Sequence, residues 1–201
     1  MQFILASSSP RRKELLESIG IIPDLIISPD IDESNLKDEL PTACAKRLAK
    51  NKAVKIKNDY PDSLILTADS IAFCGRRIID KTDNIEVARN YLKLLSGRRH
   101  KVVTSLYVTY NNKSISRTVK TIINFKNLNK HEIEWYLESE EWINVAGAYK
   151  IQGKAAGFIK SIKRSLEIDV FFASFATFLK LPKVGIKILT ICFTFNILHA
   201  L

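Results

Sequence analysis

From Lys101 to Tyr110 and again from Ser114 to Phe125, apolar and polar residues alternate with period two around Asn111-Asn112. Extended strands place alternate side chains on opposite faces, and Asn tolerates the left-handed backbone of a tight turn, so this region predicts a long β-hairpin. Just before it, Ile85 to Leu95 repeats apolar residues at helical spacing and stops at Ser96-Gly97, which predicts a helix. Upstream, extended and helical patterns take turns. Gln2–Ala6 reads as a strand; Ser9-Pro10 then provides an N-cap and a proline at the first helical position, with Leu15, Leu16 and Ile19 forming an apolar face up to Gly20. Asp24–Ser28 is a second apolar run, Asp30-Ile-Asp-Glu33 an acidic loop, and a basic helix follows Pro41 through Lys57. Leu64–Thr67 is a strand of buried type that runs into Ala68-Asp69-Ser70, which puts Asp69 at a strand end. Ile71–Phe73 and Arg77–Ile79 pair as a hairpin around Gly75, His131–Glu138 is a short helix, and Ala146–Gly153 is a loop with two glycines. Strands that first alternate with helices and then pair as hairpins predict an α/β fold, a mixed twisted sheet flanked by helices, with two lobes around a cleft.

A chain of 201 residues with 46% hydrophobic content suits a single domain spanning 1–201. Thirty-one basic against 21 acidic residues give a net charge of +10, which points to anionic partners: nucleotides, polyphosphates, RNA or an acidic membrane. Cys44, Cys74 and Cys192 are widely separated, as are His100, His131 and His199, and this spacing supports neither a disulfide framework nor a zinc site. The start MQFILASSSPRR lacks the long apolar stretch of a signal peptide, so a cytoplasmic location is expected. Ile188–Leu201 carries no Lys, Arg, Asp or Glu, yet it falls short of the roughly 20 residues that span a bilayer, so it predicts a buried element.

Chemistry concentrates at a few positions. In "LASSSPRRKELL" a helix N-terminus, with its unpaired N–H groups and partial positive charge, is joined by the hydroxyls of Ser7, Ser8 and Ser9 and by the planar forks of Arg11 and Arg12. Together these make a phosphate corner; the ordinary alternative is a capping serine beside solvated arginines. Asp69 projects into the crevice beyond its strand, where a carboxylate orients a water or holds a divalent cation, or else caps a turn. Glu33 is a second oxygen ligand, or a surface loop residue beside Asp32. Lys52 and Lys81 are cations, and a lysine on a helix such as 42–57 is commonly a solvated one. Gln152 lies in a glycine-flanked loop with an amide able to read a base edge or to cap backbone. The residues thus reach a basic α/β protein suited to metal-assisted attack on a phosphoanhydride.

Four blocks in order, "LASSSPRRKELL", "ILTADSIAFCGRRIIDK", "LLSGRRHKVVTSLYV" and "AGAYKIQG", resemble the Maf family of nucleoside triphosphate pyrophosphatases over residues 2 to 163. The resemblance implies a cleft between lobes that takes a nucleotide, a cytoplasmic and often dimeric protein, and metal-dependent hydrolysis, with Mg or Mn, to a monophosphate and pyrophosphate. By position, Asp69 matches the catalytic proton acceptor. Ser9, Arg11 and Arg12 match the phosphate-facing motif, and Glu33, Lys52 and Lys81 match polar residues of the cleft. Arg12, Ser70 and Gln152 match positions tied to base selection, and Asp69 with Glu33 is the implied metal pair. Ala-Asp-Ser and Ile-Gln-Gly resemble the branch that prefers dTTP and UTP, with Ser in place of Thr.

Two departures stand out. Asn144-Val145 occupies a place where relatives carry Asp-Lys, and from Arg164 the chain leaves the family pattern, with Phe171, Phe172, Phe175 and Phe178 in close succession. A reading-frame shift would account for residues 164–201. The nucleoside triphosphate is then the expected partner, with no nucleic acid and no membrane; the rival reading is a catalytically impaired relative that binds nucleotide or nucleic acid in division control.

Overall fold

The computed structural model describes residues 1–18 and 20–164. The expectations for Ile19, for the altered segment beyond Arg164 and for the apolar run Ile188–Leu201 lie outside those residues.

The chain begins with strand β1 (Phe3–Ala6), helix α1 (Pro10–Ser18) and strand β2 (Leu25–Ile27). Helix α2 (Pro41–Asp59) leads to β3 (Leu64–Cys74), and the short β4 (Arg77–Ile79) precedes α3 (Ile85–Leu95). The hairpin strands β5 (Arg99–Tyr110) and β6 (Lys113–Phe125) are followed by α4 (Lys130–Leu137) and β7 (Ile159–Arg164), with two 3-10 turns at Ala146–Ala148 and Lys154–Phe158. The strands form a seven-stranded mixed sheet in the order β2-β1-β3-β5-β6-β7, with β4 paired to β3. Element types therefore follow the sequence pattern. The sequence did not show β7, whose antiparallel pairing with β6 runs from Thr121↔Arg164 to Phe125↔Ile159.

Local signals set the element ends. Helix α1 stops in a left-handed closure: the Ile21 N–H bonds the Leu16 carbonyl and the Gly20 N–H that of Glu17, with Gly20 at φ +75°, a conformation that favours glycine. Asn84 caps α3 by accepting from the N–H groups of Glu86 and Val87. Asn129 and Glu132 close a reciprocal capping box on α4. Asn111, in the β5–β6 turn, takes the positive φ expected of it.

The described residues fall into two compact units. The first comprises Met1–Asp69 and Ser105–Thr118; the second comprises Ser70–Thr104 and 119–164. In the first, β1 lies between β2 and β3 with parallel pairing, Ala6 opposite both Ile27 and Thr67. One face of that sheet packs Phe3, Leu5, Leu16, Leu64, Leu66 and Leu106. The other face packs Ile4, Ala6 and Ile65 against Ile56 of α2. In the second unit, Leu92 and Leu95 of α3 and Tyr136 of α4 join Phe125, Tyr149 and Phe158 in one core. His100 is buried there, its Nε2 2.7 Å from the Tyr149 hydroxyl and its ring edge-on to Phe125. Among the described residues no helix is long and apolar enough to cross a membrane.

Candidate active site

Parallel pairing explains how distant residues converge in the first unit. The strands β1, β2 and β3 run in one direction; the chain leaves β1 into Ser7–Arg12 and β2 into the acidic loop, while β3 runs past its last β1-paired residue, Thr67, into Ala68-Asp69. The carboxyl ends of parallel strands are where α/β sheets bind ligands, because backbone pairing stops there while the helices keep the site walled. The expectation that Asp69 closes its strand needs correction. Asp69 lies within the eleven-residue β3, between the last residue paired to β1, Thr67, and the first paired to β4, Ala72. The strand continues because a second partner takes it up; what ends near Asp69 is the pairing with β1.

Asp69 is 4% exposed. Its Oδ1 accepts a hydrogen bond from Lys52 Nζ at 2.7 Å, and the same ammonium lies 2.7 Å from Glu33 Oε1. Lys52 is itself 5% exposed, so it is a buried cation gripping two carboxylates and not the solvated residue its helix suggested. A sequence signal for this existed: Cys44, Ala45, Leu48, Ala49, Lys52, Ala53 and Ile56 form the buried stripe of α2, so Lys52 falls where an apolar side chain belongs. A lysine placed there needs a buried partner. Burial is the main influence on Asp69 and raises its pKa above the ordinary carboxylate value; Lys52 and Arg12 oppose that rise, and Glu33 adds to it.

Arg12, on the first turn of α1, donates from Nη1 to Ser7 Oγ at 3.1 Å, and that oxygen also accepts the Ser9 N–H at 3.1 Å. Burial lowers the Arg12 pKa, the negative charges of Asp69 and Glu33 pull it back up, and Arg11 beside it pushes it down. Burial lowers that of Arg11 as well. Ser9 occupies the expected position before Pro10, its carbonyl accepting the Arg12 N–H. Ser7, 4% exposed, is the hydroxyl that orients Arg12, and nothing in the sequence ranked it above its two neighbours.

A further support is one that the sequence reading missed. Arg47 grips both carboxylate oxygens of Glu39 at 2.8 and 2.6 Å and donates to the Ser34 carbonyl at 3.0 Å, which ties the acidic loop to α2 one residue past Glu33. That fork holds the Glu39 carboxyl down to about 2. Asp32 accepts from both the Ser34 N–H and the Ser34 hydroxyl, so its own position is that of a loop brace.

The other sequence candidates belong to the second unit. Ser70 shares a 2.9 Å hydrogen bond with Thr104. Lys81 and Gln152 have exposed side chains. Gln152 is followed by Gly153, where an added Cβ would come within 1.9 Å of Glu141 Oε2, the same oxygen that accepts the Lys154 N–H at 2.8 Å. The loop carrying Gln152 is therefore laid against a carboxylate that only glycine lets approach.

Asp69 and Glu33 offer oxygen donors that meet at one point, the Lys52 ammonium. Among the described residues no group of three or more His, Cys, Asp or Glu side chains could hold a metal. Carboxylates of this kind bind hard cations when water and substrate oxygens complete the shell, but in this structure the Lys52 ammonium takes the position between them.

Comparison with known proteins gives the family of the chain. The family model described as "Maf-like protein" matches residues 2–168. The chain is 49% identical over 164 residues to the dTTP/UTP pyrophosphatase of Wolbachia pipientis from Culex pipiens (strain wPip), covering 81% of this chain and 84% of the relative. It is 48% identical to the nucleoside triphosphate pyrophosphatase of Ehrlichia chaffeensis, over 81% of this chain and 85% of the relative. With the nucleoside triphosphate pyrophosphatase of Neorickettsia sennetsu it shares 45% identity over 185 residues, 92% of this chain and 88% of the relative. With a family match that reaches from the first strand through the last described one, over a mixed α/β sheet of the kind its blocks implied, the chain belongs to the Maf-like protein family.

Proposed function

We propose that this protein hydrolyses nucleoside triphosphates, dTTP and UTP among them, to the monophosphate and pyrophosphate. The observation that carries the reading is the buried Asp69 carboxylate, bonded to Lys52 and flanked by Arg12, in a chain nearly half identical to pyrophosphatases. A carboxylate whose pKa burial has raised is a better base than an exposed one, provided it stays ionised, and Lys52 and Arg12 favour the ionised form. In the reaction a water oxygen bonds to the α-phosphorus while its proton passes to Asp69. The bond from that phosphorus to the bridging oxygen breaks, and pyrophosphate departs with the electron pair.

Ser9, Arg11 and Arg12, at the start of α1, are suited to the triphosphate oxygens, and Lys81 supplies a further cation. A divalent cation such as Mg²⁺ or Mn²⁺, held by Asp69 and Glu33, would screen the phosphate charge against the incoming water. For base selection the reading assigns Arg12, Ser70 and Gln152; one amide can both donate and accept toward the O4 and N3–H edge shared by thymine and uracil. The same reading carries a cytoplasmic, homodimeric protein whose partner is the nucleotide alone.

The test is direct: purified protein, a panel of nucleoside triphosphates, Mg²⁺ or Mn²⁺, and detection of monophosphate with pyrophosphate. Asp69→Asn should fold and lose turnover by about a hundredfold or more. Orthophosphate as the product, or full activity in that variant, would remove this mechanism.

A further inference from the structure

Thr67 has no assigned role, yet its side chain is fully buried and polar, at 0% exposure. Its hydroxyl donates to the Ala49 carbonyl at 2.6 Å, while the Tyr107 carbonyl lies at 3.4 Å, the edge of bonding range. A hydroxyl has one proton, so Ala49 is the partner that matters. Ala49 is a helix residue and Thr67 a strand residue, and the bond joins two elements that the reacting group also joins.

The spacing gives this bond its meaning. Thr67 and Asp69 are two apart in β3 and share a face of the strand. Ala49 and Lys52 are three apart in α2 and share its buried stripe. The pairs Thr67–Ala49 at 2.6 Å and Asp69–Lys52 at 2.7 Å are consecutive cross-links between the same strand and the same helix. The ammonium ends a flexible stem and can follow its carboxylate; a hydroxyl on a β-branched side chain bonded to a backbone carbonyl cannot.

We propose that Thr67 is a positioning residue for the pyrophosphatase reaction: its bond to Ala49 sets the height and rotation of α2 over β3, and so holds Lys52 on Asp69. The inference rests on the reading that Asp69 is the base. Small neutral hydrophobes could fill the Thr67 site, and the choice of a hydroxyl aimed at a helix carbonyl is what packing alone leaves unexplained.

Thr67→Val keeps the shape and removes the bond, and Thr67→Ser keeps the bond and removes a methyl. Two readouts apply: steady-state kinetics, and the Lys52 ammonium resonance in ¹⁵N-edited NMR, assigned by its disappearance in Lys52→Met. Thr67→Val should lower kcat by about tenfold or more while KM stays within about twofold, and should broaden or shift the ammonium signal; Thr67→Ser should restore both. An unchanged kcat and signal in Thr67→Val, or a Thr67→Ser protein with lowered kcat and a disturbed signal, overturns the proposal. If Thr67→Val fails to fold, Thr67→Ser decides alone, since a packing role predicts that losing the methyl impairs it. If the unaltered protein turns over no nucleotide, the proposed function falls, and the ammonium signal in the two variants still decides the role of Thr67.

Discussion

Replacing Lys52 by methionine removes one ammonium and exposes how the two carboxylates were held. Methionine matches the length of the lysine stem, so packing along α2 is largely kept. The charge is not. Lys52 and Asp69 have side chains only 6% exposed each, joined at 2.7 Å, and breaking such a pair leaves a buried carboxylate without its counter-ion at a cost of about 3–5 kcal/mol. The Glu33 arm, with that side chain 41% exposed, adds under about 1 kcal/mol because water screens it. The cost depends on pH, and its sign follows from Asp69. Burial already raises its folded pKa, Lys52 is the largest opposing influence, and without it Arg12 alone opposes burial and Glu33. A group whose folded pKa lies above its unfolded value stabilises the fold below the unfolded pKa and loses that contribution as pH rises through the folded one. Lys52→Met should therefore differ little from the unaltered protein below about pH 4, the ordinary unfolded carboxylate value, and fall behind it toward pH 7.5, while turnover drops because a smaller share of Asp69 stays ionised. Urea denaturation at both pH values reads the stability, and pyrophosphate release reads the turnover. Asp69→Asn provides the cross-check, since an amide cannot be left as an unpaired charge. The double variant Lys52→Met/Asp69→Asn should recover most of the loss, a coupling of about 2 kcal/mol or more. Additive single effects, or a stability gap that ignores pH, would refute this account of the pair.

Other perturbations probe the second unit. Burial lowers the pKa of His100 to about 4, from an ordinary value near 6.5. The stability this represents is present above pH 6.5 and lost as pH falls through 4, about 3 kcal/mol in all, so acid denaturation should weaken the protein across that window and His100→Gln should flatten the dependence. Gln152→Glu replaces a donor with a second acceptor and should cut kcat/KM for dTTP and UTP by about tenfold or more relative to other nucleotides; an unchanged preference rules out base reading by this amide. Gly153→Ala drives a methyl toward Glu141 Oε2 and should release the carboxylate from the Lys154 N–H. The expected cost is about 1 kcal/mol by denaturant titration, with no effect at all being the contrary result.

Much of the fold was legible because its signals are local. Period-two runs around Asn111-Asn112 specified the hairpin, and Pro10 and Pro41 marked helix starts, whereas the caps that Asn84 and Asn129 supply came from the structure. Strand β7 escaped because Ile159–Arg164 reads IKSIKR, a short and basic run that becomes a strand only by pairing with β6. The same division runs through the site. Ser9, Arg11, Arg12, Glu33, Lys52 and Asp69 were all candidates from the sequence, and Ser7 was one of three equivalent hydroxyls there, yet Arg47, which ties down the acidic loop, was not among them. A supporting residue is defined by what lies opposite it.

Taken by itself, the sequence determined the kinds of element, their order and the residue types available for phosphate and base chemistry, because backbone propensity, capping and periodicity act over a few neighbouring residues. Tertiary structure alone decided which of those residues share a charge. Lys52 lies 17 residues from Asp69 along the chain, and only the parallel pairing of β1 with β3 and the packing of α2 beside them turn a basic helix and an apolar strand into one buried ion pair. Electrostatic interaction depends on separation in space and on the solvent removed from between the charges, and neither quantity is written in the spacing of the letters.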